Sequence, residues 1–529
     1  MHPRVLPALL GALAIPSSLS AQTNASWEVV GTPAISAGEV VCCQMVFDAD
    51  NVPYVVYQDQ TVYGGHAIVQ RFVNGSWESV GAPGQASIAE SWYNTLGFDG
   101  SGNLFLCSRD YGVGGRLLVR KFPAGGSSWQ TVGAAGASPD QAHYTWLGIA
   151  AGGIPCAAFQ DRGTTPADRP SVMRFDPAAG QWSYLGAQGI TSQPTGYNSL
   201  AVDSHGTIYT AFSDGENLDS FGNGRATVLR WDEASASWSP VGQPGFTPIG
   251  AQNGFLAVDH HDHLYFAYLR YHQCILVLRF DGTNWVQVGA GPATDTDRPA
   301  VETEGWRQWI SLRFDSQDTP YVAYELWDYQ NMACVRRFDG QNWVLVGQHG
   351  FSAGAADYLS LAIDHEDVPY VVFRDNANGL RTTVMRYAPS PYYYGRATTS
   401  STGCVAEISA SGDASPSSGL PFRIEALQVP NERSGMLLWS SAPDAIPFGV
   451  GALALHAPIH RTPLQSSGGN SGSVDCSGSY SFDFNAGVLA PGSSGLRIGA
   501  CGFAQYWFRD PALPGSVCLT GGVRFRILP

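Results

Sequence analysis

The sequence predicts an all-β protein, a seven-bladed β-propeller followed by a small β-sandwich domain. A tryptophan followed three residues later by Val or Leu and then by Gly occurs seven times, at intervals of about 50 residues. Between these motifs lie three further short runs, rich in β-branched and aromatic residues. Repeats of this length with four strands are typical of propeller blades, which need neighbours to cover their apolar faces. The motifs begin at Trp27, Trp77, Trp129, Trp182, Trp238, Trp285 and Trp343.

The three runs between the motifs follow one pattern. The first ends at a turn aspartate in six of the seven repeats, as in Leu200–Asp203. The second follows directly, as in Ile208–Phe212, and the third ends in a basic residue and an aromatic residue in every repeat, as in Arg230-Trp231. The Trp motif is then the fourth strand, and turns such as Asp281-Gly282 suit the hairpin that leads into it.

The two ends of the repeat region are incomplete in complementary ways. Trp27–Gly31 has no strands before it, and the repeat that ends at Tyr387 has no Trp strand after it. We therefore expect Trp27–Gly31 to supply the fourth strand of the last blade. Such closure joins the ends of the ring and covers strand edges that would otherwise pair with other chains.

Composition and the N-terminal residues predict an exported protein. Arg4 precedes an apolar stretch, Val5–Ile15, that is too short to span a bilayer, so residues 1–21 read as a signal peptide. We expect a secreted or cell-surface protein without a transmembrane segment, with the propeller over 22–391 and the sandwich over 392–529. All ten cysteines follow the signal, where disulfides are permitted, but their spacing assigns no partners. A net charge of −15 argues against a nucleic-acid partner.

The C-terminal part contains five distinctive segments, Ser434–Leu438, Pro458–Pro463, Gly468–Asn470, Asp475–Gly478 and Gln505–Pro511. On these segments it resembles a module found on many large secreted proteins of planctomycete-type bacteria. The resemblance implies no activity. Members often hold one Cys near the start of the module and another before its final Pro, where this chain has Tyr394 and Leu528, so the resemblance implies that one terminal disulfide is absent.

The repeats themselves resemble those of bacterial secreted propeller proteins. The shared segments are Ser-Leu-Ala-x-Asp, Pro-Tyr-Val-Ala-Tyr, Arg-Phe-Asp-Gly and Trp-x-x-Val-Gly, and the likeness covers residues 25 to 388. It supports the fold and not a particular activity, because propellers serve many functions.

Ligand-binding residues are expected at one end of the ring. The loop before the first strand and the loop after the second emerge together there, at the mouth of the central channel. Flat aromatic side chains beside amides and guanidinium groups suit sugar recognition. The predicted ligand-binding residues are Trp92, Tyr93, His143, Tyr144, Tyr197, Asn198, Trp306, Arg307, Trp309 and Tyr358.

Acidic residues admit both a structural and a catalytic interpretation. Asp59, Asp110, Asp161, Asp214 and Asp375 recur at one repeat position, which favours a bracing role in loops. A pair of carboxylates across the channel is the alternative, as in glycoside hydrolysis, with Glu302, Glu304, Asp110 and Asp161 as the candidates. Asp48–Asp50 and Asp259–Asp262 favour hairpin turns over calcium loops, because the EF-hand pattern is absent. Neither a metal nor a cofactor is expected, and calcium at these turns is the alternative.

The sequence thus favours a secreted, non-catalytic binding protein that recognises an extracellular carbohydrate or a surface protein. Two alternatives stay open. One is a secreted, glycan-active propeller enzyme, a hydrolase or a lyase-like protein. The other is a cell-envelope structural or adhesion protein whose C-terminal domain serves sorting or attachment.

Overall fold

The structure is a computed structural model that describes residues 25–73, 75–270, 274–294, 310–326, 330–388, 390–472, 474–489, 496–497 and 500–528. The chain forms two compact units, one of Ser26–Ala388 with Pro443–Ala445 and one of Pro389–Ala442 with Ile446–Pro529. Within the described ranges, no helix has the length and apolar character needed to cross a membrane. The fold class predicted from the sequence is confirmed.

The first unit consists of seven four-stranded antiparallel sheets, the blades. The first strands are β2 (Val40–Phe47), β6 (Ser91–Phe98), β10 (Ala142–Ala150), β14 (Thr195–Val202), β18 (Ala251–Val258), β22 (Ser311–Phe314) and β26 (Ala356–Ile363). The second strands are β3 (Pro53–Asp59), β7 (Leu104–Asp110), β11 (Ile154–Asp161), β15 (Ile208–Leu218), β19 (Leu264–Arg270), β23 (Pro320–Leu326) and β27 (Pro369–Asp375).

The outer half of each blade follows in the same order. The third strands are β4 (His66–Val73), β8 (Arg116–Phe122), β12 (Arg169–Asp176), β16 (Gly224–Asp232), β20 (Cys274–Phe280), β24 (Met332–Phe338) and β28 (Arg381–Ala388). The fourth strands are β5 (Ser76–Ser79), β9 (Gln130–Thr131), β13 (Gln181–Tyr184), β17 (Ser237–Pro240), β21 (Trp285–Gln287), β25 (Trp343–Leu345) and, from the start of the chain, β1 (Ser26–Val29). Short 3-10 turns lie at Tyr111–Val113, Ala151–Gly153 and Asn376–Asn378.

The blades are arranged in a ring around a central channel. Each first strand contacts the first strands of the two neighbouring blades, and β26 contacts β2. β1 pairs with β28, with Trp27 opposite Tyr387 and Glu28 opposite Arg386. The fourth strand of the last blade therefore comes from the other end of the repeat region.

The Trp motif links each blade to the one before it. The indole Nε1 of each motif donates a hydrogen bond to the carbonyl of the Val or Leu in the preceding motif, at 2.8 to 3.0 Å. The seventh bond, from Trp27 to the Val346 carbonyl, completes the circle. The motif Gly must be small, since a Cβ on Gly347 would lie 2.9 Å from both Trp27 and Tyr387. The recurring aromatic of the third strand packs against the same indole, as Phe72 does against Trp77 at 5.3 Å.

A second set of contacts between blades lies at the end of the ring where the first strands end. It is formed by the turns that join first and second strands. The first Asp of a turn accepts from its own backbone, as Asp48 does from the amides of Asp50 and Val52. In three turns the fourth residue is an Asp that binds the second residue of the preceding blade's turn. These pairs are Asp262 with Ser204, Asp318 with His260, and Asp367 with Ser316.

These contacts agree with the interpretation of the Asp-rich segments as hairpin turns. In the described part of the chain, one group of three side chains could hold a metal ion: Asp203, His205 and Asp262. Their possible ligand atoms lie within 4.8 Å of one another. Their polar atoms are engaged in the turns. Asp203 accepts from the amides of His205 and Thr207, and Asp262 accepts from Ser204.

The turn contact of Asp318 predicts a pH-dependent contribution to stability. The Asp318 carboxylate accepts hydrogen bonds from both His260 and His261. The bond from His261 raises the pKa of that histidine. A raised histidine pKa stabilises the folded state below the unfolded value of about 6.5, and that stabilisation is lost as pH rises through the folded pKa. Asp318→Asn is expected to lower Tm more at about pH 5.5 than at about pH 8.5, measured by thermal unfolding.

Asp367→Asn is the matched control, because Asp367 occupies the same turn position but binds Ser316 instead of a histidine. Its Tm loss should be the same at both pH values. An equal loss at both pH values for Asp318→Asn as well would contradict the coupling to His261.

The second unit is a β-sandwich. One sheet has the order β29-β39-β38-β32-β35, with β36 also paired to β32, and the other has the order β30-β31-β37. Side chains from both sheets form one core, in which the Tyr506 hydroxyl donates to the Ile424 carbonyl at 2.9 Å. The strands are β29 (Tyr392–Tyr394), β30 (Glu407–Ser411), β31 (Arg423–Val429), β32 (Ser434–Ser440), β33 (Pro443–Phe448), β34 (Gly451–Leu455), β35 (His460–Arg461), β36 (Gln465–Ser466), β37 (Gly478–Asp483), β38 (Cys501–Arg509) and β39 (Val517–Arg526), with single helical turns at Asn485–Leu489 and Pro514–Ser516.

A disulfide between Cys404 and Cys476 joins the segment before β30 to the segment before β37. It is the one disulfide found within the described ranges. Cys42 and Cys43 are buried thiols within β2 and are not joined to each other.

Candidate functional site: the mouth and interior of the channel

The candidate site lies where the first strands begin. In each described blade whose first strand is complete, this strand contains a β-bulge near its start, as between Trp92 and Thr95 or between His143 and Trp146. The first residue of the bulge has a positive φ, between 48° and 56°, although none of these residues is Gly. Such backbone is strained for a side chain and costs on the order of 1–3 kcal/mol, which is characteristic of functional sites. The residues are Cys42, Tyr93, Tyr144, Tyr197, Asn253 and Tyr358.

Three of these residues form a row of tyrosine rings around the channel mouth, which we call the tyrosine crown: Tyr93, Tyr144 and Tyr197. The ring centroids of Tyr93 and Tyr144 are 4.8 Å apart, and those of Tyr144 and Tyr197 are 5.9 Å apart. All three side chains are half-buried. Burial raises the pKa of each hydroxyl, to about 12 for Tyr93, so the hydroxyls remain neutral donors and acceptors.

Other predicted residues surround the crown. The half-buried indole of Trp92 donates to Glu90 Oε1 at 2.7 Å. His143 lies beside Tyr93, and burial together with the nearby charge of Arg109 lowers its pKa to about 4. The imidazole is therefore neutral near pH 7. Tyr358 is buried under the guanidinium of Arg374, which also pairs with Asp357.

The remaining predictions lie elsewhere. Trp306, Arg307, Trp309, Glu302 and Glu304 fall outside the described residues. Asn198 is not at the surface of the mouth but inside the channel.

The carboxylates of Asp110 and Asp161 brace loops in the structure. Asp110 is fully buried and accepts from the amides of Ile88, Ala89 and Gly112. Asp161 is also fully buried, and its oxygens accept from Gly163 and Tyr184 among others. Asp59, Asp214 and Asp375 are bonded in the same way at the same repeat position. This arrangement matches the bracing interpretation and leaves neither Asp110 nor Asp161 presented to a substrate.

Behind the crown the channel encloses a cavity of about 60 Å³. A space of this size holds a few water molecules or one small polar group, and it is too small for a sugar ring. A glycan can therefore lie across the crown and send only a substituent into the channel. The lining includes the second and third residues of the bulges, among them Asn94, Thr145, Trp146, Asn198 and Phe255, together with Arg313.

The third bulge residue links neighbouring blades in four places. Thr95 Oγ1 accepts from the Leu147 amide and Ser199 Oγ accepts from the Leu256 amide, both at 3.1 Å. Gln44 and Ser311 make the equivalent bonds. Trp146 and Phe255 occupy this position in two other blades, and their rings meet edge to face at 5.0 Å. The two rings can meet because the blade between them carries the small Ser199 at this position.

Sequence reasoning missed these interior residues. Asn94 and Thr145 follow the predicted mouth residues Tyr93 and Tyr144 in the chain, but only the bulge turns them toward the channel. It also missed Phe221, whose side chain is 80% exposed on a hairpin between β15 and β16 at the mouth end. The carboxylate of Asp219 holds that hairpin, accepting from the amides of Phe221, Asn223 and Gly250.

No protein-family model matches the chain, and no curated protein matches it. Solved structures with a similar fold include a fungal alcohol oxidase in complex with copper, 12% identical, with a TM-score of 0.45 over 96% of this chain and all of that one. An ulvan lyase is 10% identical, with a TM-score of 0.43 over 68% of this chain and 96% of that one. A lectin of Aleuria aurantia in complex with a fucosylated sugar is 13% identical, with a TM-score of 0.39 over 61% of this chain and all of that one. Similarity at this level does not assign an activity.

Proposed function

We propose that this protein is a secreted, non-catalytic carbohydrate-binding propeller that binds a glycan at the tyrosine crown. The observation that carries the proposal is the row of Tyr93, Tyr144 and Tyr197 rings at the channel mouth. Aromatic faces cover the apolar C–H faces of sugars, while neutral hydroxyls and amides bond their hydroxyl groups.

Three further features support this proposal. The crown residues lie on first strands of the ring, and such rigid elements fix a binding geometry better than loops do. The strained φ of each tyrosine is maintained at the position where a ligand would sit. His143 offers a neutral imidazole beside Tyr93, which suits a hydroxyl partner. No described feature favours a surface protein over a glycan as the ligand. We also propose that the protein is exported by a signal peptide in residues 1–21.

The central ring of the crown gives the sharpest test. Tyr144→Ala is expected to weaken glycan binding by the full-length protein about 10-fold on a glycan array, since an aromatic contact is worth about 0.5–1.5 kcal/mol beyond the area it buries and Tyr144 contacts both neighbouring rings. Tyr144→Phe keeps the ring and should retain most of the binding. Soluble glycan recovered from the same incubations should show no cleavage products by mass spectrometry.

Tyr393→Ala is the control, because Tyr393 is an exposed tyrosine of the second unit. This variant should bind like the unaltered protein. Undiminished binding by Tyr144→Ala would reject the crown as the site, and glycan cleavage would reject the non-catalytic assignment.

A further inference from the structure

Arg313 breaks the symmetry of the ring inside the channel. It lies two residues after the third bulge position of its blade, where the other six blades have Val46, Gly97, Gly148, Ala201, Ala257 and Ala362. Only this blade places a charged residue there. Because it has no counterpart, the repeat architecture does not require it.

The guanidinium of Arg313 has no anionic partner among the described residues. Within the described part of the chain its one hydrogen bond is from Nη1 to the carbonyl of Leu312 at 2.8 Å, and its Cζ lies 4.9 Å from the ring centroid of Phe255. Burial lowers the pKa of Arg313 to about 10, and no carboxylate of the described residues counteracts this. A guanidinium carries five N–H donors and stays charged at neutral pH, so an unpaired one in a channel is costly unless an anion accompanies it.

A second unpaired group lines the same cavity. Asn198 is 4% exposed, its Oδ1 accepts from Thr195, and its Nδ2 has no acceptor among the described residues. Asn94 is also 4% exposed, and no described residue donates to its Oδ1. The Arg313 guanidinium and Asn198 Nδ2 are therefore donors in the cavity that suit an oxyanion, and Asn94 Oδ1 is an acceptor that suits a neighbouring hydroxyl.

We propose that the channel cavity is an oxyanion site and that the glycan is an acidic saccharide, whose carboxylate or sulfate group enters the channel and pairs with Arg313. This inference rests on the proposed function for the identity of the ligand. The cavity is lined both by Tyr93 and Tyr144 of the crown and by Arg313, so one ligand can contact both. Its volume of about 60 Å³ admits such a group and excludes the ring that bears it.

The first test uses a small oxyanion in place of the glycan. Sodium acetate or sulfate, titrated into the full-length protein at constant ionic strength, should change tryptophan fluorescence in a saturable manner, because Trp146 lies in the cavity against Phe255. Arg313→Met keeps the side-chain length and should abolish the change. This variant removes an unpaired charge, so its Tm should be unchanged or raised.

Arg279→Met is the matched control, because Arg279 also lies over an aromatic ring, that of Tyr265 at 5.8 Å, but does not line the cavity. It should respond to acetate as the unaltered protein does. Absence of a saturable response to both anions in the unaltered protein overturns the oxyanion site, whatever glycans the protein binds. An undiminished response in Arg313→Met overturns the role of Arg313.

The second test compares an oligogalacturonate with its carboxyl-reduced counterpart, and a sulfated galactan with its desulfated form. The unaltered protein should bind at least one acidic member 10-fold more tightly than its neutral partner, and Arg313→Met should lose that preference while keeping the weaker binding of the neutral glycan. Equal binding of acidic and neutral members overturns the acidic ligand class. A saturable acetate response without binding to any glycan supports the oxyanion site and overturns the proposed function, so the two failures are distinguishable.

Discussion

Deleting residues 22–31 from the full-length chain is expected to lower the Tm of the propeller by about 10 °C or more. The deletion removes β1 and with it Trp27, which is 6% exposed, stacks on Phe351 at 3.8 Å and completes the circle of indole hydrogen bonds. Glu28 also pairs with Arg386 at 2.7 Å. Loss of one buried tryptophan alone costs about 3–5 kcal/mol, and in a ring of this size each kcal/mol shifts Tm by roughly 1–2 °C.

A peptide of residues 22–31 supplied in trans separates ring closure from other effects of the deletion. It should restore part of the lost Tm by pairing with the exposed edge of β28, as in strand addition. The same peptide with Trp27→Ala should restore little, because the indole bond to Val346 and the stack on Phe351 are absent. A melting midpoint that the deletion leaves unchanged would rule out closure of the ring by this strand.

Breaking the disulfide of the second unit is expected to have the other large effect. The bond closes a loop of 72 residues between Cys404 and Cys476. In the chain-entropy treatment a loop of this length contributes about 4 kcal/mol. Cys404→Ala with Cys476→Ala should therefore lower the Tm of this unit by roughly 10–15 °C in scanning calorimetry.

Cys518→Ala is the control for replacing a thiol in the same unit. Cys518 is buried and not disulfide-bonded, and its Sγ contacts only the Thr398 carbonyl among the polar groups described, so its removal should cost about 1 kcal/mol. Reducing agent should lower the Tm of the unaltered protein toward that of the double variant and leave the double variant unchanged. If the second unit of the double variant has the same Tm as in the unaltered protein, the cross-link does not stabilise this unit.

The architecture of the propeller was largely predictable from local signals. Each blade repeats the same four short strands, and the Trp motif, the basic-aromatic pair and the turn Asp recur in phase because each makes the same contact in every blade. Incomplete repeats at the two ends also predicted which strand β1 would join. In the second unit, no spacing rule identified Cys404 and Cys476 as partners, because connectivity depends on which loops the sandwich brings together.

The candidate site was predictable only in part. Tyr93, Tyr144 and Tyr197 stand at one repeat position, so the sequence places them together at the channel mouth. The bulge that gives them positive φ has no sequence signature here, since neither Gly nor a fixed residue type marks it. For that reason the inward turn of Asn94 and Asn198 and the pairing of Trp146 with Phe255 were not foreseen. Arg313 departs from the repeat pattern, but the sequence analysis did not single it out, and only the structure shows that no described residue supplies it with an anionic partner.

The number of blades, the order of strands within each and the strand that closes the ring can be predicted from the amino-acid sequence, because they depend on short-range periodicity and on contacts repeated between neighbouring blades. Which side chains meet inside the channel is seen only in the folded protein. Residues from all seven blades, separated by up to hundreds of positions in the chain, line the channel. The space and the net charge inside it therefore depend on the side chains of all seven blades together.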